Sequence, residues 1–148
     1  MKYLLCELND ENYTQPEFIQ YESKEEAFNE ALNVCGHCFE EEIIEVEDYG
    51  NRVTARCDDR FFVTEIKEFE ANPGDYILIW HHAYNGVGFN ILAVGTYEQC
   101  KERRIQEIKR IFDEYDLSNA DNDDFDIELD TCVDTGEEWE VFSIIEVK

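Results

Sequence analysis

Thr96-Tyr97-Glu98-Gln99, together with Ser23-Lys24-Glu25-Glu26 lying 73 positions upstream, decides how this chain folds. Each tetrad sets a hydroxyl residue three positions before Gln or Glu. At that spacing the hydroxyl caps an orphan backbone N–H, and the longer side chain bonds back to the cap residue. Two helices therefore start at matched places. Apolar residues recur at helical spacing after both starts: Ala27, Phe28, Ala31, Leu32 and Cys35 in the first, and Cys100, Ile105, Ile108, Ile111 and Phe112 in the second.

The same offset holds without a gap over the first 21 residues of each half. Tyr3-Leu4-Leu5 faces Tyr76-Ile77-Leu78, Asn12 faces Asn85, and Phe18-Ile19 faces Ile91-Leu92. Strand-like runs at 2–8 and 17–22 precede the first helix, and runs at 76–82 and 89–94 precede the second. After the first helix come 43–47, a continuation past Gly50-Asn51 as 53–57, and then 61–66. After the second come 125–132 and 139–147, joined through Thr135-Gly136. Asn72-Pro73-Gly74-Asp75 punctuates the boundary, because Pro removes a donor and Gly supplies unusual dihedrals. The expectation is an α+β protein built as a tandem pseudo-repeat of two ββαββ units, mainly antiparallel sheet with one helix per unit. The units span 1–71 and 72–148 and form one two-lobed domain. Two copies are too few for a stacking solenoid.

Asp and Glu number 37 against 12 Lys and Arg, a formal net charge of -25 with a pI of about 4.1, yet 43% of the residues are hydrophobic. Disordered acidic tails lack the apolar residues for a core; this chain has them in regular patterns, so the charge coats a folded body. Such a coat repels nucleic acid, acidic membranes and phosphorylated substrates, and it draws in basic protein surfaces. No run approaches the roughly 20 apolar residues of a membrane span, and the start, Met1-Lys2-Tyr3-Leu4-Leu5-Cys6-Glu7, turns acidic too soon for a signal peptide. A cytoplasmic setting is expected, the host cytoplasm if the chain is phage-encoded. The six cysteines are then reduced thiols, with Cys6, Cys57 and Cys132 in strand interiors.

The charge is unevenly distributed. From Glu7 to Asp48 there are 14 acidic residues and one basic, Lys24; from Asp113 to Glu140 there are 13 and none. The second helix instead carries Lys101, Arg103, Arg104, Lys109 and Arg110, with Glu98, Glu102 and Glu107 at pairing distances, a basic face available to acidic segments of its own protein. In Phe125-Asp126-Ile127-Glu128-Leu129-Asp130 the alternation is strict. Read as a strand, it sets carboxylates about 6.6 Å apart on one face, similar to the spacing of phosphates on an extended nucleic-acid strand. Ile44-Glu45-Val46-Glu47 repeats the pattern, and Glu40-Glu41-Glu42 and the run 121–124 extend it.

The familiar catalytic and metal signatures are weak. Cys35-Gly36-His37-Cys38 has CxxC spacing, but a redox dithiol needs its first thiol at the start of a helix. Here the tetrapeptide is expected to follow the helix, with Gly36 as its C-terminal cap. A zinc site needs two more ligands, leaving Cys35, Cys38, Cys57 and His82, with neighbouring His81, as weak metal candidates and no second CxxC. Adjacent His81 and His82 point to opposite sides of a strand. Tyr84-Asn85-Gly86-Val87-Gly88 lacks the Gly-Lys-Ser/Thr of a phosphate loop and suits a hairpin turn. The run 116–124 matches a calcium loop in composition alone, without its glycine or its twelfth-position Glu. No cofactor and no catalytic residue is expected.

The function expected is therefore that of a non-catalytic acidic binding protein. Its carboxylates at Glu41, Glu42, Glu45, Glu47, Asp121, Asp123, Asp124, Asp126, Glu128 and Asp130 imitate nucleic acid in the basic groove of another protein, such as a nuclease, with Tyr49, Tyr115 and Trp139 as rim anchors. By composition and size this is analogous to small acidic phage or mobile-element proteins of anti-CRISPR or anti-restriction type. The alternatives are an immunity or accessory protein that covers one basic partner, and, more remotely, a small Cys/His metal-binding module.

Overall fold

The computed structural model describes residues 1–9, 17–37, 45–48, 52–57, 60–83, 89–117, 125–136 and 139–148. These form a mixed α+β protein with two antiparallel sheets and two helices, dividing into one unit at Met1–Glu70 and another at Ala71–Lys148.

The first unit runs β1 (Lys2–Asn9), β2 (Glu17–Tyr21), α1 (Lys24–His37), β3 (Glu45–Asp48), β4 (Arg52–Cys57) and β5 (Arg60–Phe69), with the sheet ordered β2-β1-β5-β4-β3. Alternation along β1 and β5 aims Leu5 and Ile66 at α1, whose Ala27 and Ala31 are fully buried against them. Small alanines let the helix approach closely, and Tyr3, Ile19, Tyr21 and Phe28 seal the margin. Ser23 starts α1, its hydroxyl accepting from the Glu26 N–H at 3.1 Å. The helix continues through Cys35, Gly36 and His37. Gly36 is thus a helical residue and not the expected cap: a glycine inside a helix costs only about 1 kcal/mol. Most of Cys35-Gly36-His37-Cys38 therefore lies in the last turn of a helix, where the dipole opposes a thiolate.

The second unit runs β6 (Tyr76–Ala83), β7 (Phe89–Gly95), α2 (Tyr97–Glu114), β8 (Cys132–Asp134) and β9 (Trp139–Glu146), in sheet order β7-β6-β9-β8. Position by position this is the order of the first sheet without its edge strand β3. Asn72-Pro73-Gly74-Asp75 leads into it as a turn closed by the Asp75 N–H on the Asn72 carbonyl at 3.0 Å, with Gly74 at φ +92°. Pro followed by a positive-φ Gly is the type II arrangement. The turn is tied to the end of the chain by Gly74 N–H to Val147 O and Val147 N–H to Asp75 O.

Leu78 and Phe142 face α2 and are fully buried with Cys100, Ile108 and Val133; Ile111 and Phe125 close the same core, and Trp80 stacks on Phe142 with ring centroids 6.4 Å apart. The β6–β7 register steps from Leu78↔Ala93 to Ile79↔Ile91, so Leu92 is the extra residue of a β-bulge on the edge strand. The cap of α2 is a complete reciprocal box: the Gln99 N–H donates to Thr96 Oγ1 at 3.1 Å, and the Thr96 N–H donates to Gln99 Oε1 at 2.9 Å. Gly95 makes room for it, since a Cβ there would collide with the Gln99 amide oxygen. The helix ends with Asp116 at φ 51°, its N–H on Asp113 O, and with the Leu117 N–H on Phe112 O at 2.8 Å. This is a Schellman stop with aspartate in the place glycine usually holds.

One expected strand is not formed. Residues 126–130 make a turn and pairing begins only at Cys132. The aspartates at the ends of the alternating stretch offer the backbone a local alternative to a ladder. Asp126 Oδ1 accepts from the Glu128 N–H at 2.9 Å and Asp130 Oδ2 from the Asp126 N–H at 2.7 Å.

Thr96→Ala removes one half of the α2 box and is expected to lower stability by about 1 kcal/mol. Urea unfolding of the full chain should show this as a lower midpoint at unchanged slope; an unmoved midpoint would mean that the box does not hold the helix start.

Candidate functional site

The charged surface of the second unit is organised by α2. Glu107 accepts from Arg103 at 3.0 Å and from Arg110 at 3.1 Å, and Arg110 also reaches Glu114 at 2.9 Å. These are the three- and four-residue spacings that bring side chains together on one helical face. Across the unit, Lys101 pairs with Glu128 at 3.2 Å, and Arg104 donates from Nη2 to the Glu128 backbone carbonyl at 2.8 Å. In the first unit Lys2 meets Glu22 at 3.2 Å and Lys67 meets Glu65 at 3.5 Å. Among the described residues Lys2, Lys67, Lys101, Arg103, Arg104 and Arg110 are thus engaged by acceptors of the same protein. Carboxylates remain exposed along both units, among them Glu17, Glu25, Glu26, Glu68, Glu98, Glu102, Asp113 and Asp134.

The 126–130 turn lies against the basic side of α2. Four hydrogen bonds close it internally: the Glu128 N–H to Asp126 Oδ1, the Asp126 N–H to Asp130 Oδ2, and the Leu129 and Asp130 N–H groups to Asp126 O. Arg104 and Lys101 hold it from below. Arg104 is only 4% exposed, and its Nε has no hydrogen-bond partner among the described residues. The sequence marked Arg104 as part of a basic face; it did not mark it as buried. The signal was available, since Cys100, Arg104, Ile108 and Ile111 form one row at helical spacing and all four are buried.

Asp126, Glu128 and Asp130 are consequently not a row of strand carboxylates about 6.6 Å apart, because the backbone between them turns. All three are exposed, and each of the two aspartates commits one oxygen to the turn. Glu45 and Glu47 do lie on an edge strand, β3, opposite Arg56 and Thr54. Tyr115 is the C-cap of α2 and packs partly buried against the core. Trp139 begins β9 opposite Ala83. Glu41, Glu42, Tyr49, Asp121, Asp123 and Asp124 lie outside the described residues, as do Cys38 and the 84–88 hairpin stretch.

Thiol chemistry has little support at the described cysteines. Cys6 and Cys100 are buried, and burial with the neighbouring Asp134 pushes the Cys132 thiol up to about 11. Burial likewise raises Cys100. Thiolate nucleophiles and metal ligands require the opposite shift. Among the described residues no group of three or more His, Cys, Asp or Glu side chains is placed to hold a metal ion, and the side chains of Cys35, Cys57 and His82 are outside that set. Glu140 is buried at 3% exposure, with Oε2 accepting from the Trp80 indole N–H at 2.5 Å. No protein-family model, curated protein or solved structure matches this chain.

Among the described residues no helix is long and apolar enough to cross a membrane. What the arrangement offers is a surface on which several cations are paired within the protein while exposed carboxylates outnumber them.

Burial pushes the Glu107 carboxyl up, but the hydrogen bonds and charges of Arg103 and Arg110 outweigh it, so it titrates below its ordinary value. A depressed folded value gives stabilisation that is present above the unfolded carboxylate's value of about 4.3 and is lost as pH falls through the folded value. Glu107→Gln is expected to cost about 0.5–1 kcal/mol at neutral pH. In urea midpoints across a pH series the gap between variant and parent should close below about pH 4; a gap constant down to pH 3 would contradict the ion-pair account.

Proposed function

We propose that this protein is a non-catalytic acidic binding protein that occupies the cation-lined groove of a nucleic-acid-binding protein and excludes the nucleic acid. The two units are, on this reading, copies of one ββαββ design that gives the acidic coat a rigid support, with β3 added at one edge. The observation that carries the proposal is the net charge of -25 on a folded chain, with exposed carboxylates along both units. A partner approaching from solution meets a field of one sign, which speeds encounter with a basic surface and repels phosphates.

The turn at 126–130 favours a second reading beside it. A protein that neutralises one basic partner through a specific patch, as an immunity or accessory protein does, needs no regular spacing of carboxylates, and a locked turn supplies such a patch. The two readings agree on the partner's charge and differ on what binding displaces.

Tagged protein captures its partner from a cell lysate, the partner is identified by mass, and the purified pair is titrated with salt and with DNA or RNA. The mimic reading expects affinity to fall steeply between about 0.05 and 0.5 M salt and nucleic acid to compete with this protein for the partner. Salt-sensitive binding without competition selects the second reading. Equal binding at low and at molar salt contradicts both.

A further inference from the structure

We infer that the 126–130 turn is the apolar anchor of the binding surface, and that it seats Leu129 among the side chains of a basic amphipathic helix on the partner; this rests on the reading of the chain as a binder of cationic protein surfaces. Along the alternating stretch Phe125 is buried, Ile127 is half-buried, and Leu129 is 73% exposed, more than any other large apolar side chain among the described residues. A solitary exposed leucine carries little meaning by itself. The support beneath this one is what distinguishes it.

Four hydrogen bonds fix the turn internally, and Lys101 and Arg104 reach up to Glu128 from α2. Desolvating a guanidinium is costly unless its donors are satisfied. Arg104 is buried all the same, with Nε lacking a partner and its described hydrogen bond made to the Glu128 carbonyl. The buried cation thus acts chiefly on the conformation of an exposed turn. A side chain presented on a backbone already fixed in place binds without a further ordering cost.

The surroundings of Leu129 select its occupant. Asp126, Glu128 and Asp130 are all exposed around it, so a purely apolar groove would strand three carboxylates and a phosphate backbone would be repelled. A helix whose apolar residues form a four-side-chain hole, flanked by Lys and Arg, complements both the leucine knob and its acidic rim.

The test uses the full chain, labelled with nitrogen-15, and two synthetic peptides of identical composition. One places leucines on a single helical face with Lys and Arg elsewhere; the other is a scramble without that face. Leu129→Ser leaves the net charge unchanged and sits on the surface, so a backbone spectrum otherwise like the parent's verifies the fold. The amphipathic peptide should shift amides in 125–131, and Leu129→Ser should weaken it about tenfold or more, while the scramble binds parent and variant alike. Unchanged affinity of the amphipathic peptide for Leu129→Ser, or shifts centred elsewhere, overturns the anchor and leaves the acidic-binder reading standing. Failure of both peptides to bind overturns both.

Discussion

Repulsion among 37 carboxylates faced by 12 cations is the constraint to which the rest of this structure responds. Like charges on a folded surface raise its free energy, and salt at physiological strength screens them only beyond about 8 Å. The structure meets this locally. Arg103 and Arg110 converge on Glu107, Arg110 extends to Glu114, and Lys101 reaches across to Glu128. Exposed pairs of this kind contribute little each. Their larger effect is to hold these cations beside carboxylates of the same protein, while the excess of 37 acidic over 12 basic residues leaves the surface anionic.

Beneath that surface each unit solves the ordinary packing problem in the same manner. An antiparallel sheet turns alternate residues of its central strands toward one helix: Leu5 and Ile66 toward Ala27 and Ala31 in the first unit, Leu78 and Phe142 toward Cys100 and Ile108 in the second. Burial of such side chains, at about 25 cal/mol per Å² of apolar surface, is what opposes the electrostatic cost. Turn and cap chemistry then fixes the connections, most completely at the Thr96 and Gln99 box and the Pro73-Gly74 turn.

What was legible in the sequence was whatever is decided within a few residues. The hydroxyl and amide of Thr96 and Gln99, the hydroxyl of Ser23 and the Pro-Gly pair act on their own neighbourhood, so their spacing identifies the helix starts and the turn before β6. What was illegible depends on distant groups. The alternation at 125–130 has the period of a strand whether or not a ladder forms. The outcome turned on two aspartates bonding their own backbone and on Arg104, 24 positions earlier, binding the Glu128 carbonyl. Gly36 misled because a glycine near a helix end resembles a cap, and Asp116 escaped notice because it fills the left-handed position without being glycine. The basic face of α2 was readable as a partner for acidic segments; that its target is the carbonyl and carboxylate of one glutamate was not.

Function on this account follows from charge left over after internal pairing, with a rigid turn supplying direction to an otherwise diffuse field. The most direct measurement of that surplus is the stability of the full chain by urea unfolding as sodium chloride rises from about 0.02 to 0.5 M, a range over which the screening length contracts severalfold. If exposed carboxylates dominate, screening relieves their repulsion and the unfolding free energy increases with salt. A decrease would show that the ion pairs on α2 and across to Glu128 outweigh the repulsion, and the surface would not carry the uncompensated field on which the proposed binding depends.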